Sequence, residues 1–420
     1  MVRSLRLTHG RWLFSRRPRA DDPTQGWKIH LSATILSAAD VFGRVEPILR
    51  KHEALFKVPR RLELLISLNS GLSEFSQVGK FLTVYPRSTS EALTLARELH
   101  RATRGLAGPR IPFDASYRAK SLVHYRYGAF RRSAQKPYGL IRSPNGRLHR
   151  DRRSPGAAVP GWLDDPFNPT RPKVRKATGP IGLDYIAYKA KMQRGKGGVY
   201  EAVDLSVSPV RVVIIKEGRR HGETDMEGCD GYDRVRHEAN VLRKLRTAGI
   251  PVPKVFREFS QNGNRYVVLE QLPGRPLIPA TRMQPCQISW RRAARLLEQL
   301  ESILSRIHAA GWVWRDCKPS HILVHRGQFR LIDFENACRR DGKKIALWVS
   351  RDYSRRTSSK ATRRQAGSSE DDHALGVIAF QFGTGKFPPA AKRSRAAVYK
   401  RTRCPDVLRM HLEQLLGEPG

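Results

Sequence analysis

Cysteine is scarce in this chain. The 420 residues include five cysteines, an odd number, and no two of them form a C-x-x-C pair. They are Cys229, Cys286, Cys317, Cys338 and Cys404. This pattern indicates neither a disulfide framework nor a zinc knuckle. Such cysteine usage fits a reducing compartment, so we expect a cytoplasmic protein.

Long apolar runs are missing as well. No stretch approaches the roughly 18 consecutive apolar residues that a membrane-spanning helix needs, so no membrane partner is expected. The basic N-terminus also lacks the apolar core of a secretory signal. Hydrophobic residues still make up 40% of the chain, which is enough for two or three domains with separate cores.

Acidic residues are few relative to basic ones. The chain has 78 Lys and Arg against 38 Asp and Glu, a formal net charge of +40. Such an excess indicates an anionic partner, namely a nucleotide, a phosphopeptide, an acidic peptide or a nucleic acid. Basic motifs interleaved with aromatic residues are absent, so nucleic-acid binding rests on charge alone and is not expected.

One stretch carries a catalytic pattern. It reads WRDCKPSHILV over residues 314–324 and is followed by LIDFE over residues 331–335. A phosphotransferase uses two such aspartates, here Asp316 and Asp333, with one beside the attacking hydroxyl and the other on a metal-bound nucleotide. Two ordinary loop aspartates beside buried strands would be the simple alternative. Further kinase motifs upstream, in the usual order, argue against it.

The upstream motifs predict a nucleotide site. A glycine-rich segment contains Gly195, Gly197 and Gly198, whose lack of side chains lets backbone amides approach phosphates. Its spacing is compressed, so an ordinary glycine-rich hairpin remains an alternative. The other candidates are Lys216 at the end of an apolar strand, its helical partner Glu238, and Glu270 and Leu272 at the adenine edge.

Each residue of the catalytic stretch has a predicted role. Asp316 accepts or orients the substrate hydroxyl proton, Lys318 steadies the γ-phosphate, and Asp333 binds magnesium. His321 occupies the second metal position, where kinases carry asparagine, although imidazole is a poor ligand for magnesium. Asp372, in a later predicted helix, is expected to brace the catalytic loop.

The N-terminal region predicts an anion site. Residues 27–32 alternate apolar and polar side chains with period two, which is typical of a strand, and further short segments are also predicted as strands. The basic side chains that these strands carry are Lys28, His30, Lys57, Lys80 and Arg126. Each alone is an ordinary surface cation. Together they could hold a phosphate, and neighbouring cations lower the pKa of a lysine toward use as a base.

A family resemblance adds to this interpretation. The phrases GWKIHLSA, FKVP, GKFLTVYP, GPRIP and VHYRYGAF resemble the N-terminal lyase domain of class III and class IV lanthipeptide synthetases. That domain is similar to bacterial phosphothreonine lyases, which β-eliminate phosphate to leave a dehydroamino acid. The resemblance implies that Lys57 takes the Cα proton and that His30 protonates the leaving phosphate. It further implies a phosphate site of Lys28, Lys80 and Arg126, lined by Tyr85.

The expected fold class is α+β, with an N-terminal phosphothreonine-lyase-like α+β domain followed by a bilobal protein-kinase-like domain. The expected boundaries are a poorly ordered basic lead-in over 1–25, the lyase-like domain over 26–130, a basic Pro/Gly-rich linker over 131–176 and the kinase-like domain over 177–420. The kinase C-lobe is expected to be shortened. The cyclase domain of full-length family members is expected to be missing.

The two motif sets predict a bifunctional peptide dehydratase of lanthipeptide biosynthesis. It would phosphorylate Ser or Thr of a ribosomal precursor peptide with a leader, using ATP or GTP and Mg²⁺. It would then eliminate phosphate to give dehydroalanine or dehydrobutyrine, and a separate cyclase would close any rings. Two alternatives stay open. One is a pseudokinase-type peptide-binding scaffold, motivated by His321, and the other is a Ser/Thr kinase with an inactive lyase remnant.

Overall fold

The computed structural model mixes helices and antiparallel sheets, which confirms the α+β class. It describes residues 7–72, 74–130, 139–154, 157–170, 180–279, 287–340, 352–354 and 367–417. Cys286 and parts of the predicted lead-in and linker lie outside these residues. The chain divides into two compact units, Met1–Asp233 with Phe259–Tyr266, and Arg234–Glu258 with Val267–Gly420.

A seven-stranded antiparallel sheet organises the N-terminal domain. Its strands are β1 (Leu7–His9), β2 (Trp12–Phe14), β3 (Gln25–Leu31), β4 (Leu55–Pro59), β5 (Leu82–Tyr85), β6 (Ala115–Ser116) and β7 (Val123–Ala129). The strand order is β1-β2-β4-β5-β3-β7-β6. Three helices accompany it, α1 (Ala38–Lys51), α2 (Leu62–Ser70) and α3 (Thr89–Ala102), with a 3₁₀ helix at Phe75–Gln77.

Amphipathic helices build the core of this domain. Helix α1 buries Val41, Val45 and Leu49, whose spacing of four residues places them on one face. Helix α3 begins as its capping-box spacing predicts, because the Ser88 hydroxyl accepts a hydrogen bond from the Glu91 amide at 3.1 Å. The buried faces of both helices join the sheet residues in one hydrophobic cluster.

The predicted lead-in and linker need correction. Strand β2 pairs with β4, and Leu13 lies in the N-terminal core, so this part of 1–25 is ordered. The predicted linker contains a hairpin of β8 (Leu140–Arg142) and β9 (Leu148–Arg150). Beyond it, the Phe167 ring stacks on Tyr125 with centroids 4.1 Å apart. Leu13 and Phe167 are single apolar residues among charged ones, so no periodicity predicts their segments as ordered. Each nevertheless packs in the N-terminal core.

A second antiparallel sheet follows. Its strands are β10 (Tyr185–Gln193), β11 (Gly197–Asp204), β12 (Arg211–Gly218), β13 (Val255–Gln261) and β14 (Asn264–Glu270), in the order β10-β11-β12-β14-β13. Helix α4 (Gly231–Thr247) lies between β12 and β13 in the chain. Val213 and Ile215 alternate along β12 and are fully buried, as expected for an apolar strand.

The remaining elements are mostly helical. They are β15 (Arg275–Pro276), α5 (Trp290–Ala309), β16 (Trp312–Val313), β17 (Ile322–His325), β18 (Gln328–Leu331), β19 (Cys338–Arg339), α6 (Ser369–Thr384), α7 (Lys392–Arg401) and α8 (Asp406–Leu416). Helix α5 has 20 residues and an apolar stripe that includes Leu300, Leu304 and Ile307, as predicted. None of the described helices is long and apolar enough to cross a lipid bilayer.

Candidate active sites

A basic cavity of about 910 Å³ opens in the N-terminal domain. Among the described residues that line it, six are basic and two are acidic. The basic ones are Arg11, Lys28, Lys57, Arg150, Arg152 and Arg153, and the acidic ones are Glu74 and Asp151. Tyr85, Trp12 and Phe130 supply aromatic walls. The cavity therefore suits an anion attached to a less polar group.

Two predicted lysines reach this cavity from different strands. Lys28 on β3 is 7% exposed, and its Nζ lies 6.0 Å from the ring centroids of Tyr85 and Phe130. Burial holds the pKa of Lys28 well below its ordinary value, although Asp151 acts to raise it. Lys57 on β4 places its Nζ 4.2 Å from the Trp12 ring centroid. The cavity thus offers one deeply buried amine and one beside an indole.

The other three predicted residues surround a buried carboxylate. His30, Lys80 and Arg126 do not line the cavity as far as the structure describes it. The Asp114 carboxylate lies 2.5 Å from Nδ1 of His30, 3.4 Å from Nζ of Lys80 and 3.9 Å from Nε of Arg126. Sequence reasoning missed Asp114. Asp114 lies two residues after the phrase GPRIP, and this closeness to a family-like phrase was the sequence signal that could have identified it.

Charge and burial fix the protonation of this cluster. Burial raises the pKa of Asp114, but Lys80, His30 and Arg126 outweigh that effect and keep the pKa well below its usual range. Burial lowers the pKa of His30 to about 3, although Asp114 raises it. A carboxylate only accepts hydrogen bonds, so neutral His30 donates from Nδ1 and presents Nε2 as an acceptor. The acid role predicted for His30 therefore requires prior uptake of a proton.

Asp151 connects the cluster to the cavity. Arg126 donates from Nη2 to Oδ1 of Asp151 at 2.5 Å and to the Arg152 carbonyl oxygen at 2.7 Å. Asp151 follows β9 directly, so the segment predicted as a linker forms part of the cavity wall. Sequence reasoning gave this segment no site residue, because its charges showed no periodicity.

The second predicted site lies on the loop between β16 and β17. Lys318 donates from Nζ to both carboxylate oxygens of Asp316, at 3.0 and 2.9 Å. Burial raises the pKa of Asp316, and the charges of His321 and Lys318 oppose that shift. Asp316 is 7% exposed, so its carboxylate is largely shielded from water. The structure brings the two side chains together, and their roles as catalytic base and phosphate-steadying lysine stay predictions.

His321 lies between the two aspartates. Its Nδ1 is 3.2 Å from the Asp316 carbonyl oxygen and its Nε2 is 3.3 Å from Oδ2 of Asp333. Ligand atoms of Asp316, His321 and Asp333 all lie within 4.8 Å of one another, which suits a divalent cation. The imidazole, however, does not fit the preference of magnesium for oxygen. Asp333 has φ of 67°, an uncommon conformation for a residue other than glycine and one found at functional sites.

The residue that braces the catalytic loop is Asp371, and the prediction of Asp372 is wrong. The Asp371 carboxylate accepts hydrogen bonds from the amides of Trp314 at 2.8 Å and Arg315 at 2.7 Å. His308 Nε2 lies 2.9 Å from the same carboxylate. Successive residues of an α-helix point about 100° apart, so a shift of one position selects another face. A run of Glu370, Asp371 and Asp372 offers no sequence signal for choosing among them.

The glycine-rich segment is confined by its neighbours. A Cβ on Gly195 would lie 1.6 Å from the Asn69 carbonyl oxygen, and one on Gly197 would lie 1.7 Å from that of Glu217. The Gly195 amide donates to the Ser70 carbonyl oxygen at 3.0 Å. Gly198 begins β11 with Gly197 and pairs with Glu217 on β12. The segment is thus a tight hairpin in which a residue with a side chain cannot replace Gly195 or Gly197 without a clash.

The remaining nucleotide candidates lie on separate elements. Lys216 is on β12, paired with Val199 of the glycine-rich strand. Glu238 on α4 is 2% exposed and accepts the Phe334 amide at 3.0 Å, directly after Asp333. Glu270, at the end of β14, accepts the Lys254 amide at 3.0 Å, and Leu272 follows it in the chain. Nucleotide contacts by these residues stay predictions.

Comparisons with known proteins identify both parts of the chain. Residues 4–179 match the family described as RamC, N-terminal domain, and residues 188–415 match the protein kinase domain. The chain is 32% identical over 350 residues to a probable SapB synthase of Streptomyces coelicolor, covering 78% of this chain and 37% of that protein. It is 30% identical over 217 residues to the serine/threonine-protein kinase PknA of Mycobacterium tuberculosis, covering 50% and 49%. The chain thus spans about half or less of these relatives.

The order of the two matches agrees with the motifs. A RamC N-terminal domain precedes a protein kinase domain, as the lyase-type and kinase-type phrases indicated. This order and the similarity to the probable SapB synthase confirm the resemblance to lanthipeptide synthetases. The protein kinase match covers more than half of this chain. The chain therefore belongs to the protein kinase family, with a RamC N-terminal domain ahead of the kinase domain.

Proposed function

We propose that this chain is a bifunctional peptide dehydratase that first phosphorylates a hydroxyl and then eliminates the phosphate. The observation that carries the proposal is the presence, in one chain, of an Asp–Lys catalytic loop and a basic cavity with a buried amine. The substrate would be Ser or Thr of a ribosomal precursor peptide with a leader. Similarity to a probable SapB synthase supports a biosynthetic role, and similarity to a serine/threonine kinase supports a hydroxyl acceptor.

In the kinase step, Asp316 would orient the peptide hydroxyl and receive its proton. Burial raises the pKa of Asp316, which improves it as a proton acceptor relative to an ordinary aspartate. Lys318, already within 3.0 Å of Asp316, would steady the transferred phosphoryl group. ATP or GTP with a divalent cation supplies the phosphoryl group and neutralises its charge. The match to the protein kinase domain supports this nucleotide use.

In the lyase step, Lys57 would take the Cα proton of the phosphorylated residue. The Cα–Cβ double bond forms as the Cβ–O bond breaks, and phosphate leaves. A Cα–H beside an amide is weakly acidic, so the developing charge needs nearby cations and little water. Lys28 would supply one cation at the cavity wall, and the rim arginines would supply more. Lys80, Arg126 and His30 would act from behind that wall through Asp114 and Asp151.

A pseudokinase-type scaffold is the second candidate. His321 in place of the kinase asparagine favours it, because magnesium binds imidazole poorly. In that case the chain would bind nucleotide and peptide without transferring phosphate, and a partner would perform the chemistry. A separate cyclase is a proposed partner under either hypothesis.

Mass spectrometry of a Ser/Thr-containing precursor-type peptide, incubated with ATP and a divalent cation, tests the proposal. Wild-type protein should give dehydrated peptide, and Lys57→Ala should leave phosphorylated peptide instead. Asp316→Asn should leave the peptide unmodified. Lys51→Ala, a matched change at an exposed lysine at the end of α1, should behave as wild type. Normal dehydration by Lys57→Ala would reject the lyase assignment, and nucleotide binding without transfer would favour the scaffold.

A further inference from the structure

A buried ion pair lies directly beside the glycine-rich hairpin. Arg219 follows the last residue of β12 and donates from Nη2 to Oε2 of Glu217 at 2.8 Å. Burial raises the pKa of Glu217, but Arg219 outweighs that effect and keeps the pKa below its ordinary value. Both side chains are therefore charged. Charge-assisted hydrogen bonds are stronger than neutral ones, so this pair is a firm anchor at the end of β12.

Arg219 also binds the hairpin itself. Its Nη1 donates to the Arg194 carbonyl oxygen at 2.7 Å, and its Nη2 donates to Oε1 of Gln193 at 2.6 Å. Its amide donates to the Lys196 carbonyl oxygen at 2.8 Å. One residue thus binds the backbone on both sides of Gly195.

Glu217 connects the strands around the hairpin. Its carboxylate accepts a hydrogen bond from the Tyr200 hydroxyl on β11 at 2.8 Å. It also accepts from Nδ2 of Asn264 at 2.8 Å and from the Tyr266 hydroxyl at 3.3 Å, both on β14. The partner of Arg219 is therefore fixed by three strands, and the hairpin is held against a rigid part of the sheet.

The N-terminal domain completes this arrangement. The guanidinium carbon of Arg219 lies 5.0 Å from the ring centroid of Phe75 in the 3₁₀ helix, within the range of a cation–π contact. The Phe75 ring in turn packs edge-on against Phe113, with centroids 5.7 Å apart. A planar guanidinium can stack on a ring through its face while its edge donates hydrogen bonds, and an ammonium cannot do both. The hairpin is therefore supported from the N-terminal domain through Arg219.

The hairpin needs such support to bind a nucleotide. Three of the four residues 195–198 are glycines, and glycine loses more conformational freedom on ordering than any other residue. Backbone amides must nevertheless converge on the phosphates. We propose that Arg219 is a positioning residue for nucleotide binding, which holds the glycine-rich hairpin in one conformation against Phe75 of the N-terminal domain. This role rests on the proposed kinase function and makes its nucleotide affinity depend on the N-terminal domain.

Calorimetric titration of the full chain tests this role. Non-hydrolysable analogues of ATP and GTP are titrated in turn with MgCl₂ present, and the tighter one is used for the variants. Arg219→Ala should weaken binding about tenfold, because the nucleotide must then order a loose hairpin. Phe75→Leu should weaken it about threefold, the size of one cation–π contact. Arg219→Lys should show most of the loss and replaces the alanine variant if that one does not fold.

The neighbouring arginine provides the matched control. The guanidinium of Arg220 lies over Tyr232, with its carbon 5.3 Å from the ring centroid, so Arg220→Ala should leave the affinity unchanged. Steady-state phosphorylation of peptide separates positioning from general damage. In Arg219→Ala the KM for nucleotide should rise about tenfold while kcat stays within about twofold of wild type. A fall in kcat with an unchanged KM would contradict a positioning role.

Hydrogen exchange without nucleotide examines the hairpin directly. Residues 193–200 should exchange faster in Arg219→Ala than in wild type or Arg220→Ala, and equal exchange would overturn the proposal. If wild type binds nucleotide and both Arg219 variants bind it equally tightly, the role of Arg219 is rejected and the kinase function stands. If wild type binds neither analogue, the kinase function fails, and the role of Arg219 in nucleotide binding fails with it.

Discussion

At the scale of single residues, buried carboxylates organise both sites. Asp114 gathers His30, Lys80 and Arg126 of the N-terminal domain, and Asp371 fixes the backbone of the catalytic loop. Neither was predicted from the sequence, while Lys28, Lys57, Asp316, and Asp333 were. A motif identifies residues by type and spacing. Helix rotation and loop contacts decide which of several acidic residues points inward. The local spacing of residues in the sequence predicts neither of them.

Replacement of Asp371 should loosen the catalytic loop. In Asp371→Ala the amides of Trp314 and Arg315 lose their acceptor, and a buried unsatisfied donor costs about 1–3 kcal/mol. We expect a local loss of about 2–5 kcal/mol. Hydrogen exchange of residues 312–325 measures it. Asp372→Ala, one position along the same helix, should have a clearly smaller effect, and equal effects of the two variants would contradict the bracing role of Asp371.

Acid should destabilise the N-terminal domain. Burial lowers the pKa of His30 to about 3 and that of His124 to about 4. An unfolded histidine titrates near 6.5, so between about pH 6.5 and 4 the unfolded chain binds more protons. Stability is therefore lost as the pH falls through this window. Each unit of pKa difference corresponds to about 1.4 kcal/mol.

Thermal unfolding measured from pH 7 to pH 5 checks this dependence. His124→Gln should reduce the slope, because its ring no longer takes up a proton on unfolding. The pKa of Asp114 lies below its usual range, so its contribution to stability is lost only at a pH below this window. It therefore does not affect the slope measured between pH 7 and pH 5. A wild-type stability that stays flat over this range, or a variant with the same slope, would contradict the burial argument.

At the scale of elements, periodic segments were predicted and isolated ones were not. The capping box of α3 and the apolar stripe of α5 are local signals, and both elements form where the sequence indicated. Strand β2 and the β8–β9 hairpin are short and charged, so their place depends on pairing with distant residues. The cavity wall at Arg152 therefore lay outside the predicted site. Tertiary contacts, rather than propensity, decide such segments.

The contact between the glycine-rich hairpin and α2 makes a testable prediction. The Gly195 amide donates to the Ser70 carbonyl oxygen at 3.0 Å, and a Cβ at Gly195 would lie 1.6 Å from the Asn69 carbonyl oxygen. Gly195→Ala must therefore separate the hairpin from α2. We expect faster hydrogen exchange in residues 62–72 and 193–200.

Gly43→Ala provides the matched control, because a Cβ there meets nothing within 4 Å. Within a helix that change should be neutral or stabilising by up to about 1 kcal/mol. Unchanged exchange in Gly195→Ala would mean that the hairpin and α2 do not form the contact described.

At the scale of the whole molecule, the charge balance and the site chemistry agree. The formal net charge of +40 predicted an anionic partner, and the N-terminal cavity concentrates basic side chains around a buried amine. The kinase loop would create the phosphorylated residue that this cavity suits. The central claim is therefore that one chain installs phosphate on a hydroxyl and then expels it.

The most direct measurement supplies the intermediate and bypasses the first step. A synthetic phosphoserine peptide is incubated with the Asp316→Asn variant in the absence of nucleotide, and its mass is recorded. The proposed function predicts a loss of mass equal to one phosphoric acid, and no such loss when Lys57→Ala is added to the same variant. A peptide that keeps its phosphate, or that loses it equally without Lys57, would contradict the claim.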